Sequence, residues 1–115
     1  MRAVLPDDVV IDDHRRTGFG RLEGPDAYIA AVSAAFELSP DARWDTLYRV
    51  AEGPHGFVNV NLMSGTNTEG GEFESPFVAV YHFRGDRLRA GEMFEIDALD
   101  AALARFQALG EEIPS

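Results

Sequence analysis

Residues 72–83, EFESPFVAVYHF, and residues 88–96, LRAGEMFEI, are two runs rich in β-branched and aromatic side chains, separated by Arg84-Gly85-Asp86-Arg87. Such runs read as strands, and a short polar connection containing glycine reads as a hairpin turn, so the two are expected to pair antiparallel. Pro76 has no N–H to give to a ladder, which predicts a bulge or an open edge at that point.

Working outward toward the N-terminus, residues 57–65, FVNVNLMSG, alternate Val58, Val60 and Leu62 with Asn59, Asn61 and Met63. Residues 43–51, RWDTLYRVA, put Trp44, Thr46, Tyr48 and Val50 on one side by the same period of two. The connections Glu52-Gly53-Pro54-His55-Gly56 and TNTEGG (66–71) are turns, so four strands follow one another. Ahead of them Gly24 and Pro25 suit the cap and first turn of a helix whose apolar stripe is Tyr28, Ile29, Val32, Ala35 and Phe36, and Ser39-Pro40 stops it. Earlier still, residues 8–12, DVVID, read as a short strand, and residues 17–24, TGFGRLEG, with three glycines, as an irregular loop or a short extended stretch. Beyond the hairpin, Asp97 is expected to cap a helix carrying Leu99, Ala102, Leu103, Phe106 and Leu109 on one face, with residues 110–115 as a tail. Consecutive antiparallel strands covered by helices define an α+β plan, one domain over residues 1–115 with its core in about 5–109.

Composition narrows the function classes. Hydrophobic residues make up 45% and charged residues 26%, the balance of a folding chain. Ten arginines and no lysine face twenty acidic residues, for a net charge of −10, so most of the surface repels phosphate and nucleic acid is excluded as a partner. With no cysteine there is no disulfide framework and no thiolate chemistry. MRAVLPDDVV lacks the apolar core of a signal peptide and no stretch approaches the roughly 20 apolar residues of a span, so no membrane partner and a cytoplasmic location are expected.

DDVVIDDHR, the glycine-bearing loop, the helix GPDAYIAAVSAAFEL and the strands ending in FVAVYHFRGDRL and RAGEMFEI together resemble the SnoaL-like branch of the nuclear transport factor 2-like superfamily, from about Leu5 to Leu109. The resemblance implies a cone-shaped, curved, mostly antiparallel sheet wrapped by helices, the cystatin-like roll, enclosing an apolar cavity and dimerising through the sheet. It includes ketosteroid isomerases, polyketide cyclases, dehydratases and non-catalytic domains. Such domains commonly open with one or two helices that close the cone; seven residues precede Asp8 here, so the likeness is to a domain lacking that lid.

By the same resemblance Asp13 falls where the isomerase branch has its carboxylate base. His14 adjoins it and could shuttle a proton, and Tyr81, on the strand face of Ala79 and Phe83 by the period of two, either supplies a hydroxyl in place of a missing donor or is a core aromatic. The mechanism implied is cofactor-free proton transfer next to a carbonyl, in an isomerase, cyclase or dehydratase. The alternative for Asp12 and Asp13 is a solvated turn, or an ion pair with Arg15 or Arg16 that fixes the loop. Ala79 stands where the isomerases carry an acidic oxyanion donor, so their full machinery is not expected. Residues expected along a small hydrophobic ligand are Phe19, Phe36, Tyr48 and Phe83, with Asn59, Asn61 and Glu92 as polar anchors. The three histidines have no metal-ligand spacing, and Gly18, Gly20 and Gly24 do not make a dinucleotide loop, so neither metal nor cofactor is expected. The competing function is a non-catalytic dimerisation or ligand-sensing module of a larger bacterial regulatory protein.

Overall fold

The four predicted strands form an antiparallel meander, because each is joined to the next by a short connection that lets neighbours pair directly. The computed structural model describes residues 7–16, 20–85 and 87–112. Its elements are β1 (Val10–Asp13), β2 (Gly20–Glu23), α1 (Pro25–Leu38), β3 (Arg43–Gly53), β4 (Gly56–Thr66), β5 (Glu72–Arg84), β6 (Arg87–Glu95), a 3-10 turn (Ile96–Ala98) and α2 (Leu99–Glu112). The sheet runs β2-β1-β6-β5-β4-β3, with β1 parallel to β6 and every other pair antiparallel. The fold is therefore α+β, a six-stranded mixed sheet with helices on its faces. Among the described residues no helix is long and apolar enough to cross a membrane.

The period of two divides the core between the two faces. Val58, Val60, Val78, Val80 and Phe94 point one way and are covered by Ala102, Phe106 and Leu109 of α2. Phe77, Ala79 and Met93 point the other way and join Ile11 of β1 under Tyr28 and Ile29 of α1. Gly24 caps α1 at φ 87°, and Gly85 turns the β5–β6 hairpin at φ 63°, left-handed conformations in which a side chain is strained. Pro76 lies opposite Leu62 of β4, while β6 pairs with β5 only from Phe77, so the proline occupies a local open edge of a central strand and no bulge against β4.

Several expectations are corrected. Of the two readings of 17–24, the extended one holds over Gly20–Glu23, where β2 is held antiparallel to β1 by tertiary pairing rather than by its own composition. β1 begins at Val10 rather than Asp8 and includes Asp13. Asp97 lies inside the 3-10 turn, and α2 runs through Gly110 to Glu112. Trp44, Thr46, Tyr48 and Val50 do not share a face. Extra residues at Leu47 and Val50 shift the register, so Trp44 and Thr46 lie opposite Met63 and Asn61, whereas Tyr48 lies opposite Val60 on the other side of the sheet.

Candidate functional site

The α1 face narrows to a small cavity of about 20 Å³ lined by Tyr28 of α1, Trp44 of β3, Phe77 and Tyr81 of β5, Ile11 of β1 and Met93 of β6. That is space for about one water molecule. Tyr81 is placed there by the odd-numbered alternation of β5, with Asn61 facing it from β4. Asn61 Nδ2 donates to the Tyr81 hydroxyl at 3.3 Å, leaving Asn61 Oδ1 buried with no partner among the described residues. Trp44 Nε1 is likewise buried and unpartnered, its ring held between Phe36 and Phe77 at centroid distances of 6.2 and 6.3 Å. Burial pushes the Tyr81 hydroxyl above its ordinary pKa against the hydrogen bond from Asn61, which lowers it. Tyr28 is also raised, by burial and then by the proximity of Tyr81. Both phenols therefore stay protonated at neutral pH and can donate.

Asp13 is on the same face, fully buried at its side chain, and bound by its neighbour two residues on. Arg15 Nε reaches Oδ1 at 2.9 Å and Nη2 reaches Oδ2 at 2.7 Å, while the Arg15 backbone N–H also donates to Oδ1. The guanidinium lies 4.6 Å from the centre of the Phe77 ring, so the pair closes against the cavity wall. The carboxylate is thus neutralised from the cavity side, and a substrate using it as a base would have to displace the fork.

The remaining expected residues divide between the two faces. Asn59 is buried on the α1 face but accepts from Arg49 Nε at 3.2 Å, and Arg49 stacks 4.1 Å over Phe57. Phe83 packs on Phe57 at 5.6 Å, further along this face from the cavity. Phe36 touches the site through Trp44. His14, Glu92 and Tyr48 lie on the α2 face. His14 Nε2 meets Glu92 Oε1 at 2.8 Å with its ring 4.7 Å from Phe94, and Arg105 Nε of α2 donates to Glu92 Oε2. His14 therefore turns away from Asp13, because successive residues of a strand face opposite sides. Tyr48 is 57% exposed. Phe19 lies outside the described residues. Among the described residues no cluster of His, Asp and Glu side chains is arranged to hold a metal ion.

The sequence pattern puts Tyr28 on an apolar helix stripe and Trp44 on a strand face with no ligand role for either, and it does not single out Arg49 or Arg105. A polar tip on an apolar stripe was the available signal for Tyr28 and Trp44. Arg105 carries no such signal, since its partner comes from a strand 13 residues away across the turn into α2.

The chain belongs to the SnoaL-like domain family, whose model matches residues 1–91. Solved structures share its fold at low identity. A ketosteroid isomerase-like protein from Catenulispora acidiphila, solved with trimethylamine, is 10% identical at a TM-score of 0.70, covering 88% of this chain and 77% of that one. A protein from Jannaschia sp. named after SnoaL-like polyketide cyclases is 17% identical at 0.68, covering 88% and 74%. An NTF2-like protein of unknown function from Burkholderia pseudomallei is 21% identical at 0.66, covering 87% and 79%. No curated protein matches the chain.

Proposed function

We propose that this SnoaL-like chain binds a small hydrophobic molecule bearing a hydrogen-bonding group, at the narrow end of the cone between α1 and the sheet. The observation that carries the reading is a pair of atoms unpartnered among the described residues, Trp44 Nε1 in the cavity wall and Oδ1 of Asn61, whose Nδ2 reaches the Tyr81 hydroxyl of that wall. A buried polar group without a partner costs about 1–3 kcal/mol, and a ligand carrying both a donor and an acceptor removes that cost. Entry requires a wall to move, since the cavity holds about 20 Å³. The wall is α1, which buries only Pro25 and Val32 among its 14 residues.

Two outcomes follow for the bound molecule. If Asp13 exchanges Arg15 for the ligand, the chain is a cofactor-free isomerase, cyclase or dehydratase with Tyr81 as donor. The fork on Asp13 favours the second reading, a module that binds or senses without turnover. Self-association is part of the proposal. α2 covers Val58, Val60, Val78 and Val80, so a homodimer through the sheet would use β3, an outer strand on which Leu47 and Tyr48 are 51% and 57% exposed.

The single tryptophan, Trp44, lines the cavity and reports on it. Titration of its fluorescence with a planar steroid enone and with a hydroxylated polycyclic aromatic should give a saturable change with a rise in melting temperature. Asn61→Leu should keep the fold and weaken that binding about tenfold or more. No saturable change with either probe, or equal affinity in Asn61→Leu, overturns the binding site. Isomerisation of the bound enone, followed in the ultraviolet, separates the enzyme from the module. Sedimentation equilibrium should show a dimer that Tyr48→Lys converts to monomer.

A further inference from the structure

On the opposite side of the sheet from the cone lies a second pocket, of about 200 Å³, between α2 and the strands β1, β2 and β6. Four of the chain's ten arginines line it, Arg21, Arg84, Arg89 and Arg105, against three of its twenty acidic residues. In a chain of net charge −10 the pocket carries a formal local excess of one positive charge.

Each acid there already has an arginine. Glu92 holds Arg105, Asp12 holds Arg21 at 3.0 Å, and Asp8 stands 4.0 Å from Arg84 in a pair whose side chains are both about two-thirds exposed. Arg89 is half-buried and has no ion-pair or hydrogen-bond partner among the described residues. Its position is set by a bulge: the β5–β6 register passes from Phe83–Leu88 to His82–Ala90, and Arg89 is the extra residue. With acids outnumbering arginines two to one, an arginine left without a carboxylate among the described residues is not explained by a shortage of them. Desolvating an unpaired cation costs free energy, which an arriving anion restores.

We infer that this pocket binds a small organic anion whose carboxylate or phosphate group is gripped by Arg89 and Arg84, with its carbon chain on Val10, Ala90 and Leu109. The volume sets the size, since about 200 Å³ lies below the roughly 300–1,000 Å³ of sites that take drug-sized ligands. The guanidinium forks suit a planar or tetrahedral oxyanion. Releasing Asp8 from Arg84 is cheap, because an exposed pair at that separation contributes little. This inference is independent of the cone site: it uses different residues on the other face.

The test is titration of the ¹⁵N-labelled chain with succinate and with inorganic phosphate at constant ionic strength, following the arginine Nε–Hε signals and the melting temperature. Saturable shifts at Arg89 and Arg84 are expected, weakened about tenfold or more in Arg89→Gln and unchanged in Arg43→Gln, whose exposed pair with Asp45 lies on β3. Tighter binding of succinate assigns a carboxylate ligand, and tighter binding of phosphate a phosphorylated one. An Arg89 signal that fails to shift in the unaltered chain, or equal weakening by both variants, overturns the site. Because the signal in the unaltered chain is read directly, misfolding of Arg89→Gln would not spare the inference.

Discussion

Arg15 closes a two-point fork on the carboxylate of Asp13, Nε to Oδ1 at 2.9 Å and Nη2 to Oδ2 at 2.7 Å, with the acid's side chain fully buried and the arginine's 13% exposed. Two residues apart, they fold the chain after β1 back onto Phe77, so one ion pair both ends the strand and shields the cone's acid. Removing one member of a buried pair leaves the other charge uncompensated. Arg15→Met should therefore destabilise the fold by about 3–5 kcal/mol in denaturant unfolding, and Asp13→Asn added to it should recover most of that loss. Additive losses in the cycle would show that the two side chains do not act as a pair.

Tyr81 and Tyr28 predict the alkaline behaviour. Burial raises both phenols above the ordinary value of about 10. A group whose folded pKa is raised contributes stability that is fully present below the unfolded value and lost as pH rises through the folded one. The unfolding free energy should thus fall above about pH 10, and Tyr81→Phe should flatten that fall. Ultraviolet titration of Tyr81→Phe should lack a late-titrating tyrosine; an unchanged profile would refute the assignment.

What the sequence revealed follows from the range of the forces involved. The meander, α1 and α2 were legible because alternation, a Gly-Pro start and an apolar stripe are local patterns. β2 was not, since GRLE acquires its strand conformation from pairing with β1 and has no pattern of its own. The face assignment of β3 failed at Leu47 and Val50, where bulges reverse the parity that a strict period of two assumes.

The candidate site divides along the same line. Tyr81 with Asn61 was recoverable from strand parity, and the pairing of Asp13 with Arg15 from proximity in the chain. Parity read strictly also separates His14 from Asp13 and Glu92 from Tyr81; grouping them in one pocket set the pleat aside. Arg105 and the Arg89 pocket depend on where α2 docks and where a bulge falls, which no local pattern fixes.

At the other end of the sheet, Asp41 accepts from the Thr66 backbone N–H at 2.9 Å and from its hydroxyl at 2.7 Å, tying the loop after α1 to the end of β4. Those hydrogen bonds hold its carboxyl below the ordinary carboxylate range. A depressed pKa contributes stability that is present above the unfolded value and lost as pH falls through the folded one. Titrated by carboxyl carbon shifts, Asp41 should have its midpoint below that of an ordinary aspartate, and Asp41→Asn should reduce the loss of stability on acidification. A midpoint at the ordinary value would contradict the geometry.

Gly56 begins β4 so close to β5 that a methyl group there would run into the Tyr81 carbonyl oxygen and stand 3.2 Å from the His82 Cα. Both neighbours are backbone of a central strand, so relief requires the β4–β5 ladder itself to shift at the Gly56–His82 pair. Overpacking against side chains typically costs about 1–3 kcal/mol, and a rigid backbone leaves less room to relax. Gly56→Ala should therefore lose about 3 kcal/mol in denaturant unfolding, with amide exchange quickened at Tyr81 and His82 before the α2 core opens. Gly70→Ala is the informative comparison. A methyl group at Gly70 meets nothing within 4 Å, but its φ of 86° strains any side chain, so about 1 kcal/mol is expected from conformation alone. If both variants lose the same amount, the close approach of β4 to Tyr81 has no energetic consequence.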